Sequence, residues 1–421
     1  MRADTIRQKW QGNRNIALFL LSQTISLLGS AIVQYAIMWF ITLKTQSGIM
    51  MTISIISSFL PTFFLSPIAG VWADRYNRKM LIILSDAFIA ATTFILAILF
   101  FMGYNTIWLL FAASAIRALG SAIQTPAVNA FIPLLVEKEQ LTRVNAINGS
   151  IQSAMMFISP MISGALLTVA QLEVIFFLDV VTAVIAILVL VFTLHVPAHQ
   201  KASEVQSENY LDDLKAGFSY VTKHAFIKRY MIFSAFFMLF MAPAAFLTPL
   251  QVTRTFGEAV WRLTAIELSF SVGMMAGGIA MASWGGFANR IHTMAVACIV
   301  MAVCTIGLGT IPIFWLYLVL MGFFGFVMPM FQTPSMVIVQ ETVEPDFLGR
   351  VFGLMGMIGS CAMPLGMLVF GPLADLMPIE WLLAGTGLIL MLISILFRFD
   401  RILLEAGKPN PQQKDAGISM E

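Results

Sequence analysis

Apolar and polar positions come in long blocks along this chain. Cutting at polar clusters and at Gly and Pro punctuation leaves apolar stretches at 16–43, 49–72, 79–102, 106–134, 142–169 and 172–194. They resume at 226–252, 259–284, 291–311, 313–340, 347–374 and 379–399. Each reaches the ~20 residues that a helix needs to cross a bilayer. The pattern predicts an all-α membrane protein with twelve transmembrane helices, six on either side of one long polar segment. Within that segment, NYLDDLKAGFSYVTKH has apolar residues at 211, 214, 218 and 221. This spacing predicts a short amphipathic helix lying at the membrane surface. The expected division is a six-helix bundle over 1–194, a linker over 195–225, a second six-helix bundle over 226–400 and a tail over 401–421.

Composition excludes a soluble alternative. The 421 residues are 59% hydrophobic and 11% charged, more apolar surface than a soluble chain could hide. The basic N-terminal residues run into some 28 mostly apolar ones. That is too long for the core of a signal peptide, so this stretch reads as the first span. All but four of the 24 Lys and Arg residues fall in 1–15, 70–79, 135–143, 195–229, 285–290, 341–350 and the tail after 397. The exceptions are Lys44, Arg117, Arg254 and Arg262. The positive-inside rule then places both termini and the central segment in the cytoplasm. Cys298, Cys304 and Cys361 all lie in apolar stretches and read as small core residues.

The two halves echo each other. WADRYNR (72–78) matches WGGFANR (284–290), QTPA (124–127) matches QTPS (332–335), and RVNAINGSIQS (143–153) matches RVFGLMGMIGS (350–360). The offsets are 212, 208 and 207. A parallel repeat of two bundles is a transporter plan, with the substrate site near the midplane between the repeats.

GVWADRYNRK (70–79) resembles the loop between spans 2 and 3 of the major facilitator superfamily. Gly70, Asp74, Arg75, Arg78 and Lys79 fit that pattern; Trp72 replaces its Leu and Asn77 its second Gly. Asn tolerates a positive φ best after Gly, so a left-handed turn is expected at Asn77. Ser159-Pro160-Met161-Ile162-Ser163-Gly164 resembles the family's antiporter signature in span 5, and Arg117 resembles its span-4 Arg. The runs at 117–141, 264–270 and 345–351 resemble the drug:proton antiporter branch that includes macrolide-efflux proteins. The resemblance implies a multi-pass cell-membrane exporter of bulky, partly apolar drugs, macrolides favoured, exchanging them for protons by alternating access. Tetracycline or multidrug export, export of a native metabolite, siderophore or lipid, and a non-transport membrane interaction protein remain as alternatives. No nucleic-acid partner is implied, and a monomer is expected.

The residues bear on the energy source. No G-x-x-x-x-G-K-[ST] occurs, and Gly407-Lys408 is followed by Pro409, so a phosphate cradle for ATP is not expected. No metal-ligand spacing or nucleophile–base pair is visible, so no enzyme activity, metal or other cofactor is expected. His195, His199, His224 and His292 lie near span ends and read as interfacial. An ion gradient needs titratable groups inside the membrane. Asp86, Arg117, Asp179 and Glu267 sit seven or more residues from their span ends, or ~10 Å deep at 1.5 Å per residue. Ionised residues there cost ~2.5–3.5 kcal/mol on insertion scales and usually serve a purpose. Glu267, in a span that borders the interface between halves in this family, is the leading candidate for proton coupling, then Asp179. Asp86 reads first as a structural partner of the basic loop or of Arg117.

Gln23, Ser26, Ser30 and Gln34 share one face of span 1, as do Ser114, Arg117, Ser121 and Gln124 of span 4. Both faces are expected to line a substrate cavity. Met238 of span 7, and Met321, Phe324, Met328 and Phe331 of span 10, offer adaptable apolar contacts. Pro243, Pro249, Pro329 and Pro334 are expected to interrupt spans 7 and 10. Gly70, Asp74, Arg75, Arg78, Pro160 and Gly164 are the expected gating residues. The echo at 284–290 has Gly286 where Asp74 would stand, so a latch is expected in the first half only.

Overall fold

The computed structural model describes residues 2–136, 140–193 and 210–408, without the side chains of 2–13, 74, 193, 210–216, 345 and 346. Helices α1 (Arg2–Thr45), α2 (Gly48–Arg75), α3 (Arg78–Phe101), α4 (Ile107–Leu135), α5 (Leu141–Val169) and α6 (Leu172–Thr193) come first. A short α7 (Tyr210–Lys223) precedes α8 (Ala225–Phe246), α9 (Thr248–Phe256), α10 (Val260–Trp284) and α11 (Arg290–Thr310). Then follow α12 (Phe314–Thr342), α13 (Pro345–Leu376), α14 (Ile379–Phe399) and α15 (Arg401–Ala406). Among the described residues, 12 segments are long and apolar enough to cross a membrane, α8 and α9 together forming one of them. The expected number of spans is therefore met, and helix is the way a chain satisfies its backbone polar groups in lipid.

The chain forms two compact units. The first comprises 1–45 and 53–205; the second comprises 46–52 and 206–421. The first turn of α2 therefore belongs with the second unit, and the rest of that helix with the first. In the first unit α1 packs on α5 and α6, and α3 on α4 and α6. One end of it is closed by a cluster of Phe19, Ala73, Ile82, Phe131 and Leu190, with Phe19 and Phe131 edge-to-face at 5.1 Å.

In the second unit α10 packs on α12 through glycine. A Cβ at Gly273 or Gly277, one helical turn apart, would strike the backbone of Gly322 and Phe326, and one at Gly325 would strike Phe270. Close backbone approach of this kind is how helices associate where the hydrophobic effect gives no drive. Helix α7 packs on α13 and α8. Tyr220 stacks on Phe347 at 4.3 Å, and Val221 is buried while Phe218 stays exposed. The amphipathic stretch is thus held against its own unit by one of its apolar positions.

Two local expectations are corrected. Asn77 has φ −63°, not a left-handed value, and its side chain accepts from the Met80 N–H to cap α3. Asn289 does the same for α11 through the Ile291 N–H. The Asn shared by the two echoes therefore serves as an N-cap, satisfying a backbone donor that the first turn of a helix leaves open. The left-handed residues of the second echo are Gly285 and Gly286, at φ 74° and 88°. Of the four prolines, only Pro243 and Pro249 flank a break, at Leu247 between α8 and α9. Pro329 and Pro334 lie inside an unbroken α12. Pro249 falls in the first turn of α9, where its missing N–H has no helical partner to lose.

Candidate functional site

The first unit holds a buried polar network built from four helices. Arg117 of α4 is 5% exposed, and Asp86 of α3 and Asp179 of α6 are each 1% exposed. Arg117 Nη1 pairs with Asp179 Oδ2 at 2.5 Å and also donates to Thr93 Oγ1. Thr93 Oγ1 lies 3.0 Å from Asp179 Oδ2. Arg117 Nη2 donates to the Ser30 carbonyl at 3.3 Å, and Ser30 Oγ donates to Asp179 Oδ1 at 3.2 Å. Asp179 is thus neutralised and bonded on both oxygens.

Asp86 is held differently. Its Oδ1 accepts from Ser26 Oγ at 2.8 Å and from Gln124 Nε2 at 2.6 Å. Its Oδ2 is buried and has no hydrogen-bond partner among the described residues. Two buried carboxyl groups share the unit's interior with one buried guanidinium among the described residues, and that guanidinium is committed to Asp179.

Local periodicity explains the assembly. Ser26 and Ser30 are one turn apart on α1, so the carboxyls they touch are spaced ~6 Å along that helix. Arg117 and Gln124 are two turns apart on α4 and serve the same two carboxyls. Gly29 lets α6 come close: a Cβ there would strike Thr182 Oγ1 and meet Asp179 Oδ1 at 3.0 Å.

The other residues singled out in the sequence are scattered. Gln23 is half-buried, and its buried Nε2 lacks a partner among the described residues; Gln34 is exposed. Met238 and Met328 are half-buried, and Phe331 is buried against Phe237 at 5.7 Å. Glu267 is half-buried on α10 of the second unit and has no hydrogen bond or ion pair among the described residues. Pro160 and Gly164 are buried on one face of α5, with Ser159 and Ser163. Gly70 has open space where a Cβ would go, and Arg75 is exposed. Arg78 donates to the carbonyls of Ala73 and Ala130, each at 2.9 Å, tying α2 and α4 together. The side chain of Asp74 lies outside the described residues.

Sequence reading missed a second cluster, in the second unit. Asp375 of α13 accepts from Ser47 Oγ at 2.7 Å, Gly48 N at 2.7 Å and Ile49 N at 2.9 Å, so it caps the N-terminus of α2. Arg254 of α9 donates to the same carboxyl at 2.8 Å and to the carbonyls of Gln46 and Ala374. Gln46 is the only non-glycine residue at positive φ among the described residues, at 48°. Arg254 therefore holds a strained backbone carbonyl in place. The usable signal was Arg254 itself, one of the four basic residues that broke the charge asymmetry.

A family model described as Major Facilitator Superfamily matches residues 16–367. Macrolide efflux protein A of Streptococcus pyogenes is 31% identical over 375 residues, spanning 88% of this chain and 92% of that protein. The protein of the same name from Enterococcus faecalis is 30% identical over 323 residues, spanning 76% of this chain and 99% of its own. Among solved structures, a mutant form of the nucleoside transporter NupG superposes with a TM-score of 0.69 at 17% identity, covering 95% of this chain and 100% of that one.

Proposed function

This chain belongs to the major facilitator superfamily and is a multi-pass cell-membrane transporter, and from that premise we propose that it exports bulky, partly apolar drugs, macrolides first, in exchange for protons by alternating access. The substrate class is supported by identity to Macrolide efflux protein A across most of both chains. The coupling is supported by one observation, the buried pair of carboxyls served by a single arginine.

In this reading Asp86 carries the transported proton. Ionised, it would be a buried charge with hydrogen bonds and no cation, the costly arrangement in a membrane interior. Protonated, it gains an O–H donor at the oxygen that lacks a partner. Ser26 and Gln124 fix the carboxyl so that only Oδ2 exchanges. Asp179 holds Arg117 by its ion pair and so keeps the guanidinium from Asp86. An amino-sugar macrolide brings its own ammonium, which favours ionised Asp86 and so competes with the proton. Drug and proton then occupy the transporter in turn. Glu267, the leading sequence candidate, lies half-buried in the second unit without a guanidinium-paired carboxyl beside it among the described residues, and this reading assigns it no coupling role.

The test is accumulation of erythromycin in a drug-hypersensitive bacterium, with and without a protonophore. Wild type should lower accumulation, and the protonophore should restore it. Asp86→Asn should fail to lower it at normal membrane levels, whereas Glu267→Gln should still export. Export by Asp86→Asn at the wild-type rate contradicts the assignment.

A further inference from the structure

The second unit carries a cleft away from the polar network of the first. It has a volume of about 510 Å³ and runs between α8 and α14, within the ~300–1,000 Å³ typical of small-ligand sites. Its floor is the stacked pair Phe233 and Phe397, with ring centroids 3.9 Å apart. Its walls include Phe236, Phe240, Ile393 and Leu396. Phe236 and Leu396 are exposed.

Its dimensions fit one leaflet. On α8 the lining runs from Arg229 to Phe240, and along α14 and its C-cap from Ile389 to Asp400. Eleven residues of helix span ~16 Å, about half of a hydrocarbon core ~30 Å thick. All lining side chains between the two charged residues are apolar. In a bilayer such a cleft is filled by hydrocarbon, since water there would have few polar groups to bond.

The charged end selects the headgroup. Arg229 Nη1 donates to Asp400 Oδ2 at 2.6 Å, and the pair is 49% and 21% exposed. Asp400 Oδ1 accepts from the Ile402 and Leu403 N–H groups at 2.9 and 3.2 Å. Asp400 is therefore occupied as a helix cap and as the strut that aims Arg229. The Arg229 fork keeps further N–H groups for a second acceptor, and its planar geometry suits a phosphate. Lys228 and Arg401, adjoining the two charged residues in sequence, are exposed, and Arg398 is half-exposed. The lining itself carries one Arg and one Asp, so headgroup recognition rests on the Arg229 N–H groups that Asp400 does not take, not on net charge.

We propose that this cleft binds one glycerophospholipid, with an acyl chain against Phe233 and Phe397 and the phosphodiester on Arg229. The site lies within the second unit and is independent of the proton carrier assigned in the first.

Native mass spectrometry of the full-length protein in mild detergent tests it, with phosphatidylglycerol as the probe. Diacylglycerol with the same chains and glycerol 3-phosphate are the two comparison ligands. Wild type should retain one phosphatidylglycerol at about tenfold lower concentration than diacylglycerol, the worth of one charge-assisted hydrogen bond. Glycerol 3-phosphate should not compete. Arg229→Gln should erase the preference for the phosphate while leaving diacylglycerol unchanged. Leu396→Trp, at an exposed position that folding does not depend on, should fill the cleft and lower retention of both lipids. Equal retention of the two lipids by wild type overturns the headgroup assignment. Retention unchanged by both substitutions shows unspecific lipid around the protein and overturns the site.

Discussion

The ion pair of Arg117 and Asp179 is a buried structural commitment, and its removal can be distinguished from loss of coupling. Asp179→Asn leaves a guanidinium buried without a counter-charge, which costs about 3–5 kcal/mol. Thermal unfolding of the purified protein should show that loss, and Arg117→Gln combined with Asp179→Asn should recover most of it. Asp86→Asn removes no ion pair and should melt close to wild type while abolishing export. A melting loss for Asp86→Asn as large as for Asp179→Asn would make Asp86 structural, as the sequence alone first suggested. Gly29→Ala should also destabilise, by about 1–3 kcal/mol for an overpacked helix contact, because Thr182 and Asp179 occupy the space a methyl needs. That Asp86 and Asp179 lie deep in spans was legible from position. Which one holds Arg117 was not, because the answer depends on helices 62 residues apart in sequence meeting at one point.

The helices themselves show where a repeat keeps its structure and loses its chemistry. Asn77 and Asn289 cap α3 and α11 alike, so Asn77→Ala and Asn289→Ala should each cost about 1 kcal/mol in thermal stability. At the same offset of 212, the place of Asp86 is taken by Cys298, which is buried in α11. At the 208 offset, Gly325 of α12 stands for Arg117 and admits the backbone of α10. At these two positions the first copy carries ionisable groups and the second spends them on packing. Span boundaries were legible because ~20 apolar residues and Pro or Gly punctuation are local signals. The Arg254–Asp375 cluster was not legible, because a helix cap supplied by a distant helix leaves no local pattern. At the end of α14, burial pushes the Asp400 carboxyl up, but hydrogen bonds from Arg229, Leu403 and Ile402 and the Arg229 charge bring it below its ordinary value. A depressed value stabilises the fold above the unfolded pKa and loses that effect as pH falls through the folded one. Wild type and Asp400→Asn should therefore melt apart at neutral pH and converge in acid below the ordinary carboxylate range.

For the molecule as a whole, the one-sided distribution of basic residues leads us to propose that the N- and C-termini face the inside. A green fluorescent protein fused to the C-terminus should fluoresce and an alkaline phosphatase fused there should be inactive; the reverse result would invert the topology. The family and its fold were legible in the 70–79 motif and in the internal echoes, because these are short, contiguous patterns. The assignment of the proton carrier needed the fold. Its most direct test is drug-coupled proton movement in proteoliposomes that enclose a pH-sensitive dye. Erythromycin should drive a proton flux through wild type and through Glu267→Gln, and none through Asp86→Asn. A flux through Asp86→Asn equal to that of wild type would contradict the account.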